Sequence, residues 1–430
     1  SCRSTAVAGS SARVPTPPMP ASRLRVVRFA RAARVAFCCL AGWLLSPQAQ
    51  AQYELEEEQP FWIRALLDVR LVRGGSAASW TDGGPGKTRY GGRATASGFE
   101  RETRLALAQL AIEASATLPW DLRAQAQVNV QPDIADGYEP WLIEAVLRKE
   151  WTREEQGWGT QAGVMNVPFS LEHVGPAWSP EYALSASALG SWLWEDINLA
   201  GAEAEWWRVM RGGLKLGVLV GAGFGADRSA RLLALRGWAI GDGVSGVNGD
   251  LPLPGGVTRS DVFHERDDRP AVYTWLTLGD ASDRATLKAG WFDNGGDQQE
   301  PGVWDTRFGT LAGILHPHAQ VDLLVQYLRG EARVREPSND SALRALHALI
   351  SWHDARHRVS VRYDEFRVRD LDGGPRTDER GDGITVAWLV GIGLRHRVGF
   401  EHVWLDSRRP ASALPQLSHD GWQLSYRFRY

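Results

Sequence analysis

His316-Pro317-His318, and His353 with His357, are close pairs of potential metal ligands. A metal site needs three or four such groups converging from a fixed frame. Each pair reads instead as polar turn residues at a rim. Asp293-Asn294-Gly295-Gly296-Asp297 resembles a calcium-loop fragment but lacks the Glu at the twelfth position. Gly86-Lys87-Thr88 ends like a phosphate-cradling loop, yet Thr81 stands where the first Gly belongs. His-Glu-x-x-His and Gly-x-Ser-x-Gly are absent, and His173 and His264 have no evident triad partners. The chain is therefore expected to catalyse nothing and to hold no metal and no cofactor.

What remains is charge laid out at a spacing of two. Around Phe61, alternate residues are apolar (Phe61, Ile63, Ala65, Leu67, Val69, Leu71), while Arg64, Asp68 and Arg70 share the other face. Val321, Leu323 and Val325 alternate with Gln320, Asp322, Leu324 and Gln326. Such alternation marks strands with one apolar and one mainly polar face. Sixteen such runs lie near 61–72, 101–116, 121–131, 140–151, 157–165, 199–211, 213–222, 271–279, 284–292, 304–314, 319–333, 342–353, 357–369, 383–391, 393–405 and 420–430. Short connections such as Gly212-Gly213 alternate with long ones near 73–100, 132–139, 166–198, 223–270, 293–303, 334–341, 370–382 and 406–419. An even strand count with alternating short and long connections is the pattern of a bacterial outer-membrane barrel. A soluble sandwich would need two or more domains, and neither a linker nor a 40–50-residue repeat is visible. The last strand ends on an aromatic face of Trp422, Leu424, Tyr426, Phe428 and Tyr430. Trp62, Trp141, Trp151, Trp291, Trp304, Trp352, Trp404 and Trp422 fall near strand ends, where interfacial girdles form.

Residues 1–51 read as a signal peptide. They hold seven Arg and no acid, an apolar run from Val35 to Leu45, and Ala49-Gln50-Ala51 as a cleavage site. Met19 would give a leader of ordinary length, so 1–18 could be an over-extended start. The expected mature chain, 52–430, is one barrel with 41 bases against 51 acids and no Cys, since Cys2, Cys38 and Cys39 all lie in the leader. No stretch of 18 consecutive apolar residues follows, which excludes a helical span. The fold class is thus all-β, a transmembrane antiparallel barrel in a Gram-negative outer membrane.

Several segments resemble the phosphate-selective porin O and P family. They are Gly163-Val164-Met165-Asn166-Val167-Pro168-Phe169-Ser170-Leu171-Glu172, Phe224-Gly225-Ala226-Asp227 with Arg236-Gly237-Trp238, Phe292-Asp293-Asn294, Arg362-Tyr363-Asp364-Glu365-Phe366, and the final strand. The resemblance implies a sixteen-stranded barrel, usually trimeric, with the long third loop folded into the lumen. It implies a porin allowing passive diffusion of small polar or charged solutes, with a substrate-specific channel for phosphate, other oxyanions or sugars as the alternative. Expected partners are outer-membrane lipid and lipopolysaccharide, the solutes and two further copies, and no nucleic acid.

Alternation turns fourteen bases and seven acids toward the lumen, because a charge facing hydrocarbon costs about 2–4 kcal/mol at mid-membrane. Arg64, Arg70, Arg123, Arg148, Lys215, Lys288, Arg307, Arg362, Arg395 and Arg397 are expected to line the pore, with Asp68 among the acids. The third loop, 166–198, has no Lys or Arg. Its Glu172, Glu181, Glu195 and Asp196 are expected to face Arg64, Arg70 or Arg123 across the constriction. That arrangement departs from an anion filter, which needs fixed positive charge at its narrowest point. The loop aromatics Trp178, Tyr182, Trp192 and Trp194 read either as a sugar track or, more simply, as pins holding the loop to the wall.

Overall fold

The computed structural model describes residues 59–430 except 97, 136, 256–258, 337 and 375–376. The signal-peptide segment and its cleavage site lie outside the described residues.

Sixteen strands close into one barrel in which each pairs antiparallel with its chain neighbours, and the first pairs with the last. They are β1 (Phe61–Arg73), β2 (Thr103–Leu118), β3 (Leu122–Val130), β4 (Pro140–Arg153), β5 (Gln156–Asn166) and β6 (Asn198–Val209). Then come β7 (Leu214–Phe224), β8 (Ala271–Asp280), β9 (Ala285–Asp293), β10 (Asp305–His318) and β11 (Val321–Val334). β12 (Asn339–His353), β13 (His357–Asp370), β14 (Glu379–Ile392), β15 (His396–Arg408) and β16 (Gln416–Arg429) complete the wall. Every sequence-derived strand is present, displaced by at most a few residues. No described helix is long and apolar enough to cross a membrane.

Lipid on one side and packed lumen on the other fix the register. On β11 the inward Asp322, Leu324 and Gln326 are buried, while Val325 is 48% exposed among Val321, Leu323 and Tyr327. Leu105, Ile112, Leu147, Val220, Leu287, Leu311 and Ile350 continue this exposed apolar band around the wall. With its closed edge and apolar band, the protein is a barrel of the bacterial outer membrane. Trp151, Trp291, Trp352 and Trp422 sit on the outer face as girdle residues. Trp62, Trp141 and Trp304 instead turn toward the interior, where Trp141 is fully buried.

Turns at one rim are short. Gly212 and Gly213 both take the left-handed region (φ 88° and 79°), which only Gly enters freely, and so close the short β6–β7 connection, Met210 to Gly213. At the opposite rim the third loop holds a nine-residue helix, α1 (Ala188–Asp196), and the fourth holds α2 (Arg231–Leu235). All nine residues of α1 are buried, which puts the third loop inside the lumen as the sequence implied.

Candidate functional site: a lumen packed by three loops

The third loop is tied to the wall along its length. Phe169 enters an aromatic cluster with Tyr273, Trp275 and Phe308, and its carbonyl accepts a bond from Gln326 Nε2 at 2.7 Å. Glu172 accepts the Ser187 N–H at 2.8 Å and pairs with Arg362 of β13 at 3.0 Å. Arg362 also holds Asp364 at 2.8 Å and donates to the carbonyls of Ser185 and Ala186. Glu401 of β15 accepts the N–H groups of Leu184 and Ser185. Ser187 caps α1 by accepting from Gly190, and the Ala188 N–H donates to Asp364 at 3.0 Å. Trp178 and His173 pack on Trp194. The aromatic residues of this loop pin it in place.

The first and fourth loops also enter the lumen, which the sequence reading did not foresee. Asp242 of the fourth loop pairs with Arg70 at 2.6 Å and with Arg89 of the first loop at 2.9 Å. Arg89 holds Asp133 of the second loop at 2.7 Å, while Asp68 holds both Arg70 and Arg427. The result is one chain of alternating charges, Arg427–Asp68–Arg70–Asp242–Arg89–Asp133, running from wall to loops almost wholly out of water. Lys87 of the first loop pairs with Glu379 of β14 at 2.7 Å. Burial pulls its ammonium down to about 8 against the opposing pull of Glu379. Trp238 donates its N–H to Glu379 and its Nε1–H to the Arg367 carbonyl, with its ring set edge-on to Trp192. Gly237 permits this approach: its φ is +83°, and a Cβ there would lie 2.0 Å from Glu379 Oε2.

The third and fourth loops meet at the end of α1. Glu195 pairs with Arg236 at 2.6 Å. Asp196 accepts from Trp192 Nε1 at 2.8 Å and from the Ala230 N–H at 2.7 Å. Burial nevertheless pushes its carboxyl up to about 7.

The predicted pore-lining residues divide into groups. Arg64, Arg123, Arg148 and Glu181 line a cavity of about 560 Å³ at the short-turn rim, together with Trp62, Glu113, Trp178 and Arg429. Asp68, Arg70, Glu172, Glu195, Asp196 and Arg362 are buried in the packed middle. Arg397 is largely buried and stands 3.9 Å from Glu181. Lys215 and Lys288 point inward, the first 3.2 Å from Asp283 and the second over the Trp275 ring. Two assignments are corrected. Arg307 shares its face with the exposed Leu311 and pairs with Asp293 and Asp305 on the outer wall. It lies beyond the apolar band, where hydrocarbon no longer penalises charge. Arg395 lies in the β14–β15 turn over the Tyr430 ring, because the strand starts at His396.

The expected opposition across the constriction is also corrected. Glu172 faces Arg362, Glu181 lies 3.8–3.9 Å from Arg358 and Arg397, Glu195 faces Arg236, and Arg70 is met by Asp242. Charges taken out of water must be paired in contact, so these acids bind the nearest guanidinium instead of facing one across water. The missed residues, Lys87, Arg89, Arg236, Trp238, Asp242 and Glu379, left one signal. The Leu232–Ile240 segment is too apolar for a solvated loop. His316 and His353 approach Asp322 at 2.8 and 3.6 Å, with Arg358 at 2.8 Å. A guanidinium in that group marks an ion-pair cluster.

A second cavity, about 500 Å³, opens at the long-loop rim, with Arg228, Arg231, Arg236 and Arg409 against Glu336 among its lining. Between the two lies a void of about 30 Å³ bounded by Thr88, Arg89, Tyr90, Ser185, Asp242, Glu401 and His419.

No family model and no curated protein matches the chain, so the resemblance to the phosphate-selective family gains no support. Solved structures do match. OprB of Pseudomonas putida aligns over 90% of this chain and 100% of its own at 8% identity, with a TM-score of 0.53. The outer-membrane channel DcaP of Acinetobacter baumannii aligns over 86% and 97% at 10% identity, with a TM-score of 0.51. An anion-selective porin from Comamonas acidovorans aligns over 86% and 99% at 12% identity, with a TM-score of 0.50. At these identities the likeness is one of fold. The chain has the sixteen-stranded fold of outer-membrane porins and channels.

Proposed function

We propose that the protein is a low-conductance outer-membrane channel for small anionic or polar solutes, closed at rest by its first, third and fourth loops. The observation that carries this is the packed middle of the lumen. Arg70, Arg362 and Arg427, which a wide aqueous pore would hydrate, are almost inaccessible. This favours a selective channel over a general diffusion porin. Of the arginines lining the extracellular cavity, Arg228, Arg236 and Arg409 are met by Asp261, Glu195 and Glu379, and Arg231, which makes no salt bridge among the described residues, supports an anionic preference by drawing a counter-ion into the cleft. Passage requires the contact between the third and fourth loops to part.

The test is single-channel recording in planar bilayers under asymmetric salt. The unaltered protein should show small, infrequent openings with reversal potentials toward anions. Deletion of 174–190 should raise conductance severalfold. A large, steady, unselective conductance in the unaltered protein would refute the reading.

A homotrimer is part of the same proposal. The outward residues of β3 and β6 include Ala124, Ala126, Val128, Ala200, Ala202 and Ala204, which allow close approach of another wall.

A further inference from the structure

The strand register places five arginines in one row across the outer wall. Arg329 of β11 stands opposite Arg344 of β12, and Arg344 opposite Arg367 of β13. Arg367 stands opposite Arg380 of β14, and Arg380 opposite Arg408 of β15. All five are exposed. Facing residues on adjacent strands are about 4.5–5.5 Å apart at Cα, and like charges so placed repel. Arg344 pairs with Glu365 at 2.7 Å. Arg329, Arg367, Arg380 and Arg408 make no salt bridge among the described residues. A row of this kind is stable where an external anion supplies the missing charge.

Its height identifies the anion. Tyr327 and Leu346 lie one outward position nearer the membrane, followed on neighbouring strands by Tyr363, Ile384 and Trp404. Of the acids nearest the row, Glu365, Asp382 and Asp406 lie on its membrane side, and Glu331 on its loop side is held by Arg333 at 2.7 Å, so the guanidinium groups face phosphate at the headgroup level. The row therefore stands just beyond the apolar band, at the level of outer-leaflet headgroups. It is also one-sided. The long-loop halves of β2–β8 present Leu105, Leu107, Val130, Leu142, Ala200, Ala222 and Val272 outward, and no charged residue. The uncharged side suits another protein wall; the arginine side suits lipid.

We propose that this row binds the phosphates of a phosphorylated glycolipid of the outer leaflet, whose acyl chains lie on the apolar band below. Arginine forks match phosphate oxygens bidentately and hold them more tightly than a point charge does. The site is independent of the channel reading, since it lies outside the barrel.

The test titrates the full barrel in detergent with bisphosphorylated lipid A, with dephosphorylated lipid A and with inorganic phosphate, counting bound lipid by native mass spectrometry. The unaltered protein should bind the phosphorylated lipid at least tenfold more tightly than the phosphate-free one. Equimolar inorganic phosphate should not displace it. The triple variant R329Q/R367Q/R380Q should lose at least fivefold in affinity while still migrating as a folded barrel on unheated gels. Equal binding of the two lipids by the unaltered protein would overturn the proposal without any variant. Displacement by free phosphate would overturn it in favour of a simple anion site. A triple variant that keeps its lipid but no longer self-associates would reassign the row to a contact between copies.

Discussion

Arg362 holds the third loop to the barrel through three of its residues, Glu172, Ser185 and Ala186, and it shows how wall chemistry becomes loop position. Its guanidinium joins Glu172 of the loop to Asp364 of its own strand and is buried from solvent. Replacing it by Met would leave two buried carboxylates without their counter-charge and remove one donor from each of two carbonyls. Breaking a buried pair from one side costs about 3–5 kcal/mol. R362M should therefore lower stability against urea by that order, read by tryptophan fluorescence of the refolded barrel. E172Q keeps an acceptor for the Ser187 N–H and should cost less, about 1–3 kcal/mol, the range for a charge-assisted bond. In a double-mutant cycle the pair should couple strongly, and additivity would show that Glu172 and Arg362 do not act together. At this scale the sequence was half legible. Alternation placed Arg362 and Glu172 in the lumen, but partner choice depends on three-dimensional approach, so Asp242 and Arg236 could not be matched to Arg70 and Glu195 from spacing.

At the scale of elements, strands were legible and loops were not, for a physical reason. A strand between lipid and lumen must alternate, and a one-residue slip would reverse its whole face. The parity of β11 follows, and single Cys substitutions at 321–326 with a lipid-soluble thiol reagent should label Val321, Leu323 and Val325 in preference to Asp322, Leu324 and Gln326. Uniform labelling would remove that register. Loops carry no period, and the first and fourth loops betray their burial only by apolar residues such as Trp80 and Trp238. Their contact with the third loop should depend on pH through Asp196. Burial raises this carboxyl to about 7, so from the ordinary carboxylate range up to that pH the folded loop retains a proton that the unfolded chain has released. Stability of the contact thus falls as pH rises through that window, and is greatest below it. Hydrogen exchange over 225–240 should quicken between pH 5 and 8, and D196N should flatten the dependence. A quickening in D196N equal to that of the unaltered protein would assign the effect to another group.

For the whole molecule, closure is the governing property. β1 pairs with β16 over eight residues from Leu66↔Arg429 to Arg73↔Trp422, and the Tyr430 N–H and carbonyl partner Ala65 beyond it. No strand edge is left from which unfolding in detergent can begin. Unheated protein should therefore migrate on SDS gels apart from heated protein. The packed lumen adds to this, because the loops bind wall residues from β1, β13, β14, β15 and β16 and so brace the seam from within. Removing the last three residues, Phe428 to Tyr430, deletes part of the seam and the ring that Arg395 covers. That truncation should lower the temperature at which the compact band is lost by several degrees, whereas D242N should do so without shortening the seam. If heated and unheated protein migrated together, the closed barrel itself would be wrong. If only the truncation mattered, closure would rest on the seam alone, and the charge chain through Asp242 would serve loop placement without bracing the wall.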